Sequence, residues 1–300
     1  MNKALNLKVG YLCNNDCIFC VQSDNKPQGN PSFESLKKDL FEAHTTCDNV
    51  IFTGGEATIR PDLVELVKYA KSLGFKRFQL QSNVRNLHSF DYCCELINAG
   101  INEFAPSLHG YTPEMHDFHT QRPGSFAQTV KALDNLSKLK QYVITNTVIT
   151  THNYKYLSNI AELLVSKNVA QIQFANIHPE GNALLNVDSI LPRMTDVLPY
   201  LFSGLQLALD NNVKCMAEAF PMCLMQEYKR FCSEYFMPKV EVRDTHYVDP
   251  EYENTRRFRS KRKSSRCIEC VYDNMCEGPW AEYIDKYGDS ELVPIHEFGK

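Results

Sequence analysis

CNNDCIFC, residues 13–20, gathers three of the chain's twelve cysteines into eight positions. The group follows an alternating, strand-like run, LNLKVGYL, and the spacing is C-x3-C-x2-C. A structural metal site normally closes with four ligands, so three thiolates leave one coordination position open for chemistry. The rest of the composition narrows the setting. A 300-residue chain with 43% hydrophobic and 11% aromatic residues is an ordinary globular protein. Its net charge of −4 excludes a generally basic, nucleic-acid-coating surface. No apolar run is long enough to span a membrane, and the N-terminus has no signal-peptide pattern, so the chain is expected to be cytoplasmic. Clustered cysteines in such a chain point to metal or iron–sulfur binding rather than to a disulfide scaffold.

From residue 5 to about 212, short apolar runs alternate with helical periodicity. LNLKVGYL, NVIFTGG, KRFQLQSN, EFAPSLHG, YVITNTVIT and VAQIQFANI each precede a helical segment, which makes six strand–helix units. The segment between SLHG and SFAQTVKALDNLSKLK is expected to be a long loop. This order predicts an α/β fold with a parallel sheet, and six units give a partial (β/α)6 TIM-like barrel rather than a closed one of eight. The polar turns follow the strands, where sites form in parallel α/β folds. After residue 212 the alternation stops. Residues 1–212 are therefore expected to form the barrel domain, and residues 213–300 a small C-terminal auxiliary domain that a metal cluster helps to hold together.

A second marker, GGE at residues 54–56, ends the second strand. Together with the three-cysteine loop and the six units it resembles the radical S-adenosylmethionine (radical SAM) superfamily. The resemblance implies a 4Fe-4S cluster on Cys13, Cys17 and Cys20 whose open iron chelates SAM. Reductive cleavage of SAM would then yield a 5′-deoxyadenosyl radical, with ferredoxin or flavodoxin as the reductant. By position it also implies that Gly54, Gly55 and Glu56 line the methionine end of SAM, and that Phe19 lies near the adenine. Ser82, Asn83, Ser107 and Asn146 match positions that contact the ribose or carboxylate, although Ser and Asn equally cap helices and close turns. His109, His116, His119 and His178 fall on the expected rim, and His109 is the residue expected to orient substrate or move a proton.

CIECVYDNMC, residues 267–276, places Cys267, Cys270 and Cys276 at C-x2-C-x5-C. This resembles the auxiliary-cluster extensions called SPASM and twitch. The further cysteine usual in SPASM is replaced by Trp280, which favours the shorter, twitch-like form with one auxiliary 4Fe-4S cluster. Cys223 is the expected fourth ligand, ahead of Cys215 and Cys232, and a zinc site is the alternative. RRFRSKRKSSR, residues 256–266, carries seven basic residues in eleven. It reads either as a mobile solvated loop or as an anion patch for an acidic leader peptide, with RNA the weaker option. The expectation is a radical SAM enzyme that oxidises or cross-links a substrate, a short precursor peptide ahead of a small metabolite. The reading from another class is a non-SAM electron-transfer or zinc protein.

Overall fold

LNLK places Leu5 and Leu7 on one face and Asn6 and Lys8 on the other. It becomes β1, Lys3–Lys8, in a computed structural model that describes residues 3–297. Leu5 and Leu7 are fully buried, and each such side chain contributes about 1.5–3 kcal/mol by leaving water. β2 (Asn49–Thr53), β3 (Arg77–Ser82) and β4 (Glu103–Pro106) follow in parallel beside β1. β5 (Ile144–Ile149) and β6 (Gln171–Asn176) pair in parallel with each other. Bridges Phe104–Val143 and Ser107–Asn146 join β4 to β5 and continue the curve.

The connecting helices are α1 (Phe33–Ala43), α2 (Leu63–Ser72), α3 (Phe90–Ala99), α4 (Pro113–Thr120), α5 (Ser125–Lys138) and α6 (Leu157–Ser166). A last one, Met194–Asp210, covers β6. Ser32 and Ser89 hydroxyls accept the Ser35 and Tyr92 N–H groups at 3.1 and 3.3 Å, caps that stabilise α1 and α3 by about 1 kcal/mol each. The six expected units are present, and the fold is the parallel partial barrel. The stretch expected as a long loop contains α4. Its start is signalled by Thr112, whose hydroxyl accepts the Met115 N–H, and by Pro113 at the first position. It is short and polar, so no apolar period announces it.

The alternation ends near residue 212, but the sheet does not. β7 (Lys214–Glu218) adds in parallel to β6, and β8 (Lys239–Arg243) adds in parallel to β1. β9 (Val248–Asp249) closes antiparallel on β8. β8 alternates Val240 and Val242 with charged residues, of which Glu241 and Arg243 are paired. Glu241 accepts from Lys3 at 2.9 Å and from Arg243 at 2.8 Å, and Arg243 also reaches Glu42 of α1 at 2.6 Å.

Five of the seven basic residues in the run pair with carboxylates. Arg256 donates to both Glu277 oxygens at 2.7 and 2.9 Å. Lys261 pairs with Glu234 at 2.6 Å and with Glu277 at 3.2 Å. Lys263 pairs with Asp273, Arg262 with Asp285 and Arg266 with Asp289. Arg256 and Lys261 are buried, so these acidic partners satisfy charges that would otherwise be costly to enclose.

Candidate active site

The cysteine loop leaves β1 at the carboxyl end of the barrel and lies directly on the GGE turn. The Gly55 N–H donates to the Gly10 carbonyl at 2.7 Å, and the Glu56 N–H to the Leu12 carbonyl at 2.9 Å. A Cβ on Gly54 would stand 2.2 Å from the Gly10 oxygen, and one on Gly55 2.4 Å from the Leu12 oxygen. The two glycines let two backbones meet. Other elements grip the same loop. Asn83 donates to Asn14 at 2.7 Å, and Arg85 to the Asn14 carbonyl at 2.6 Å and the Asn15 side chain at 2.9 Å. Carbonyls of Thr120 and His119, at the end of α4, accept from Asp16 and Ile18. After β6, Asn182 donates from its backbone to the Cys20 carbonyl and from its side chain to the Cys17 carbonyl, both at 3.0 Å.

The three thiols lie within electrostatic range of one another. Burial pushes the Cys13 thiol up to about 11. Burial, then Cys20 and Cys13, raise Cys17, and burial raises Cys20. The Asn15 N–H donates to the Cys13 sulfur at 3.3 Å, the kind of hydrogen bond that tunes a ligand thiolate. Three soft donors in one clamped loop fit an iron–sulfur cluster with an open position.

Glu56 is buried, and its carboxylate is heavily used. One oxygen accepts from the Thr58 N–H at 2.9 Å, the Thr58 hydroxyl at 2.6 Å and the Ser82 hydroxyl at 2.7 Å. The other accepts the Asn83 N–H at 2.7 Å, which leaves that second oxygen with capacity for one more donor. Ser82 and Asn83 thus orient Glu56 and the cysteine loop. The Ser107 N–H donates to the Ser82 carbonyl at 3.2 Å. Asn146, opposite Ser107, has a buried Oδ1 without a partner.

Phe19 packs edge-on against His109, with ring centroids 4.6 Å apart. His109 is buried. Its Nδ1 accepts the Val148 N–H at 3.2 Å, so the neutral ring carries its proton on Nε2. Burial, then His116 and His119, hold His109 well below the ordinary histidine range. His116 accepts the His109 N–H, and His119 bridges the Met115 carbonyl and Thr150. These three rings form a packed cluster beneath the loop. His178 lies apart, stacked on Trp280.

Phe174 faces the helix Met194–Asp210, where a Cβ on Gly204 would touch its ring at 3.1 Å. The opposite, inner face of the sheet carries Asn146, Gln173 and Glu218 by register. Gln173 donates to Glu218 at 2.6 Å, and burial, then Glu234, raises the Glu218 carboxyl. Lys8, also inward, is lowered by burial and feels Asp244, Cys20 and Glu180. Sequence reasoning missed Lys8 and Glu218. The alternation of LNLK held the signal for Lys8, whereas Glu218 needed the pairing of β7.

In the extension, Cys223, Cys267, Cys270 and Cys276 line one small cavity. Gly278 and Ile295 N–H groups each donate to sulfur, of Cys276 and Cys270 respectively, at 3.4 Å. After burial, Cys276 has the largest influence on Cys223, whose thiol is pushed up to about 12. Cys215 instead donates to the Leu205 carbonyl at 3.6 Å, and Cys232 to the Phe220 carbonyl at 3.9 Å. Among the described residues no group of three Cys, His, Asp or Glu side chains closes to single-ion spacing. No helix among them is long and apolar enough to cross a membrane.

Residues 7–164 match the Radical SAM superfamily. The AdoMet-dependent heme synthase of Oleidesulfovibrio alaskensis is 28% identical over 174 residues, 57% of this chain and 44% of that protein. The PqqA peptide cyclase of Rhodopseudomonas palustris is 27% identical over 197 residues, 65% of this chain and 52% of that protein. The chain thus spans about half the length of these curated relatives. SuiB of Streptococcus suis, solved bound to S-adenosylmethionine, superposes with a TM-score of 0.69 at 15% identity, covering 98% of this chain and 76% of SuiB. With the precursor peptide SuiA bound it superposes at 0.68, over 98% of this chain and 75% of SuiB at 14% identity.

Proposed function

The chain belongs to the Radical SAM superfamily, and on that premise we propose that it modifies a peptide by hydrogen-atom abstraction, followed by oxidation or cross-linking. The observation that carries the proposal is the three-thiol loop clamped onto the GGE turn at the mouth of a polar-lined barrel. In this reading Cys13, Cys17 and Cys20 hold the 4Fe-4S cluster. When bound, cluster and SAM together supply a 5′-deoxyadenosyl radical. Glu56 offers its remaining acceptor site to the SAM amino group, while Ser82, Asn83 and Thr58 fix its orientation. His109, buried and neutral, positions Phe19.

The thiols of Cys223, Cys267, Cys270 and Cys276 are the ligands of a second, auxiliary cluster, which would supply an electron acceptor there. No three of these thiols close to the spacing of a single ion, which supports a cluster over one zinc ion, whose four thiolates meet at a point about 2.3 Å from each sulfur. Superposition over nearly the whole chain on a protein solved with its precursor peptide supports a peptide substrate. A small metabolite is the second reading, because a heme synthase is among the relatives matched.

The test is anaerobic reconstitution with dithionite standing in for ferredoxin or flavodoxin. Wild type is expected to release 5′-deoxyadenosine and methionine from SAM, and the Cys13/Cys17/Cys20→Ala variant none. A wild type that forms neither would refute the enzyme reading. Iron kept by that triple variant reports the extension. Adding Cys223→Ala should remove it, and adding Cys215→Ala should not.

A further inference from the structure

Three buried polar atoms without a hydrogen-bond partner belong to one seam between barrel and extension: His178 Nε2, Trp280 Nε1 and Glu282 Oε2. Trp280 is 95% buried, leaving 5% exposure, and its ring stacks on His178 with centroids 3.8 Å apart and planes at 10°. His178 Nε2 lies 3.4 Å from a Glu180 oxygen, outside good hydrogen-bond geometry. Glu180 in turn lies within range of the Glu282 charge. The seam sits between the two cysteine groups: Asn182 holds the Cys17 and Cys20 carbonyls, and Trp280 follows Cys276 by four residues. Buried polar atoms are normally paired, and each exception calls for a partner the chain itself does not provide.

The charges say what that partner is. His178 is held near 4, first by burial and then by Lys261, so it is neutral at pH 7 and does not pair with Glu180 as a cation. Lys261, which lies 5.1 Å from the Trp280 ring centre, is already paired with Glu234 and Glu277. Among the described residues Lys8 is the cation acting on Glu180, and the two form no ion pair. Lys8 faces Asp244 first, and among the described residues neither Glu180 nor Glu282 forms an ion pair with a lysine or arginine.

We propose that His178, Glu180, Trp280 and Glu282 form a recognition subsite for a basic residue of the substrate: its ammonium or guanidinium donates to the two carboxylates, and a peptide carbonyl beside it accepts the Trp280 N–H, which can only donate. The proposal rests on the peptide-substrate reading above and narrows it to a peptide with a basic residue beside its reacting position. Glu180 is half exposed and opens the subsite to solvent.

Trp280 is the single tryptophan of the chain, so its emission reads the subsite directly. The reconstituted enzyme, kept anaerobic, is titrated with Ac-Gly-Lys-Gly-NH2 and its arginine, norleucine and glutamate counterparts. Lysine and arginine peptides should change the emission saturably. The norleucine and glutamate peptides should bind at least about tenfold more weakly, the scale of one charge-assisted hydrogen bond. Glu282→Gln should cost the lysine peptide about tenfold and leave the norleucine peptide unaffected. Glu180→Gln, at an exposed position, gives the same reading should the first variant not fold. Equal binding of lysine and norleucine peptides, no response to any peptide, or lysine binding unchanged by the substitutions would overturn the subsite. Release of 5′-deoxyadenosine without peptide is measured separately. SAM cleavage without charge discrimination defeats the subsite alone, and discrimination without cleavage defeats the enzyme reading alone.

Discussion

Gly55→Ala isolates the contact between the cysteine loop and the GGE turn. Gly55 has no left-handed φ, so alanine meets no backbone strain there. Its Cβ would meet the Leu12 oxygen at 2.4 Å and the Tyr11 oxygen at 2.5 Å, both backbone atoms that cannot rotate away. Relief requires the two segments to part, at the expense of the Gly55–Gly10 and Glu56–Leu12 hydrogen bonds. Two such bonds contribute about 1–3 kcal/mol together, and overpacking adds about 1–3 kcal/mol. The sum is about 2–6 kcal/mol. Gly29→Ala is the matched control: φ is +71°, and nothing stands within 4 Å of the added methyl. With ψ at −148° this backbone is one that glycine almost alone adopts, and alanine there costs about 1–3 kcal/mol. Thermal unfolding and iron content after reconstitution are measured on both. Gly55→Ala should melt several degrees lower than the control and retain less iron at the first site. If the two variants melt together and hold equal iron, the close-approach argument is wrong.

Acid should weaken the fold through the histidine cluster. Burial holds His116 and His119 near 4 in the folded chain, against about 6.5 when unfolded. Between those values the unfolded chain binds the extra protons, so stability is full above pH 6.5 and is lost as pH falls toward 4. The melting temperature should drop between pH 7 and 4.5, less steeply in His119→Gln; a flat profile rejects the assignment. In the extension, Glu277→Ala leaves Arg256 buried without its partner and Lys261 with Glu234 alone. The cost should be about 3–5 kcal/mol, read as a lower denaturation midpoint and faster proteolysis after residue 255; an unchanged midpoint contradicts it.

The six strand–helix units were legible because their information is local. Leu5 and Leu7 alternate with Asn6 and Lys8, Ser32 and Ser89 mark helix starts, and the cysteine spacing lies within one turn of chain. α4 was hidden because PEMHDFHT carries no apolar period. β8 was hidden for a different reason: KVEVR alternates as a strand does, but it lies outside the repeating units, and its partners in β1 and α1 are more than two hundred positions away.

The amino-acid sequence alone therefore determined the barrel, the three-cysteine loop and the GGE turn, since these depend on periodicity and short spacings. Only the tertiary structure decided which cysteine joins Cys267, Cys270 and Cys276 at one cavity, because Cys215, Cys223 and Cys232 are distinguished by direction, not by order. It also buried Arg256 and Lys261 of the basic run against Glu234 and Glu277. The unpartnered atoms of His178, Trp280 and Glu282 emerge only there as well. Whether a polar atom is satisfied depends on everything packed around it, and no local pattern records that.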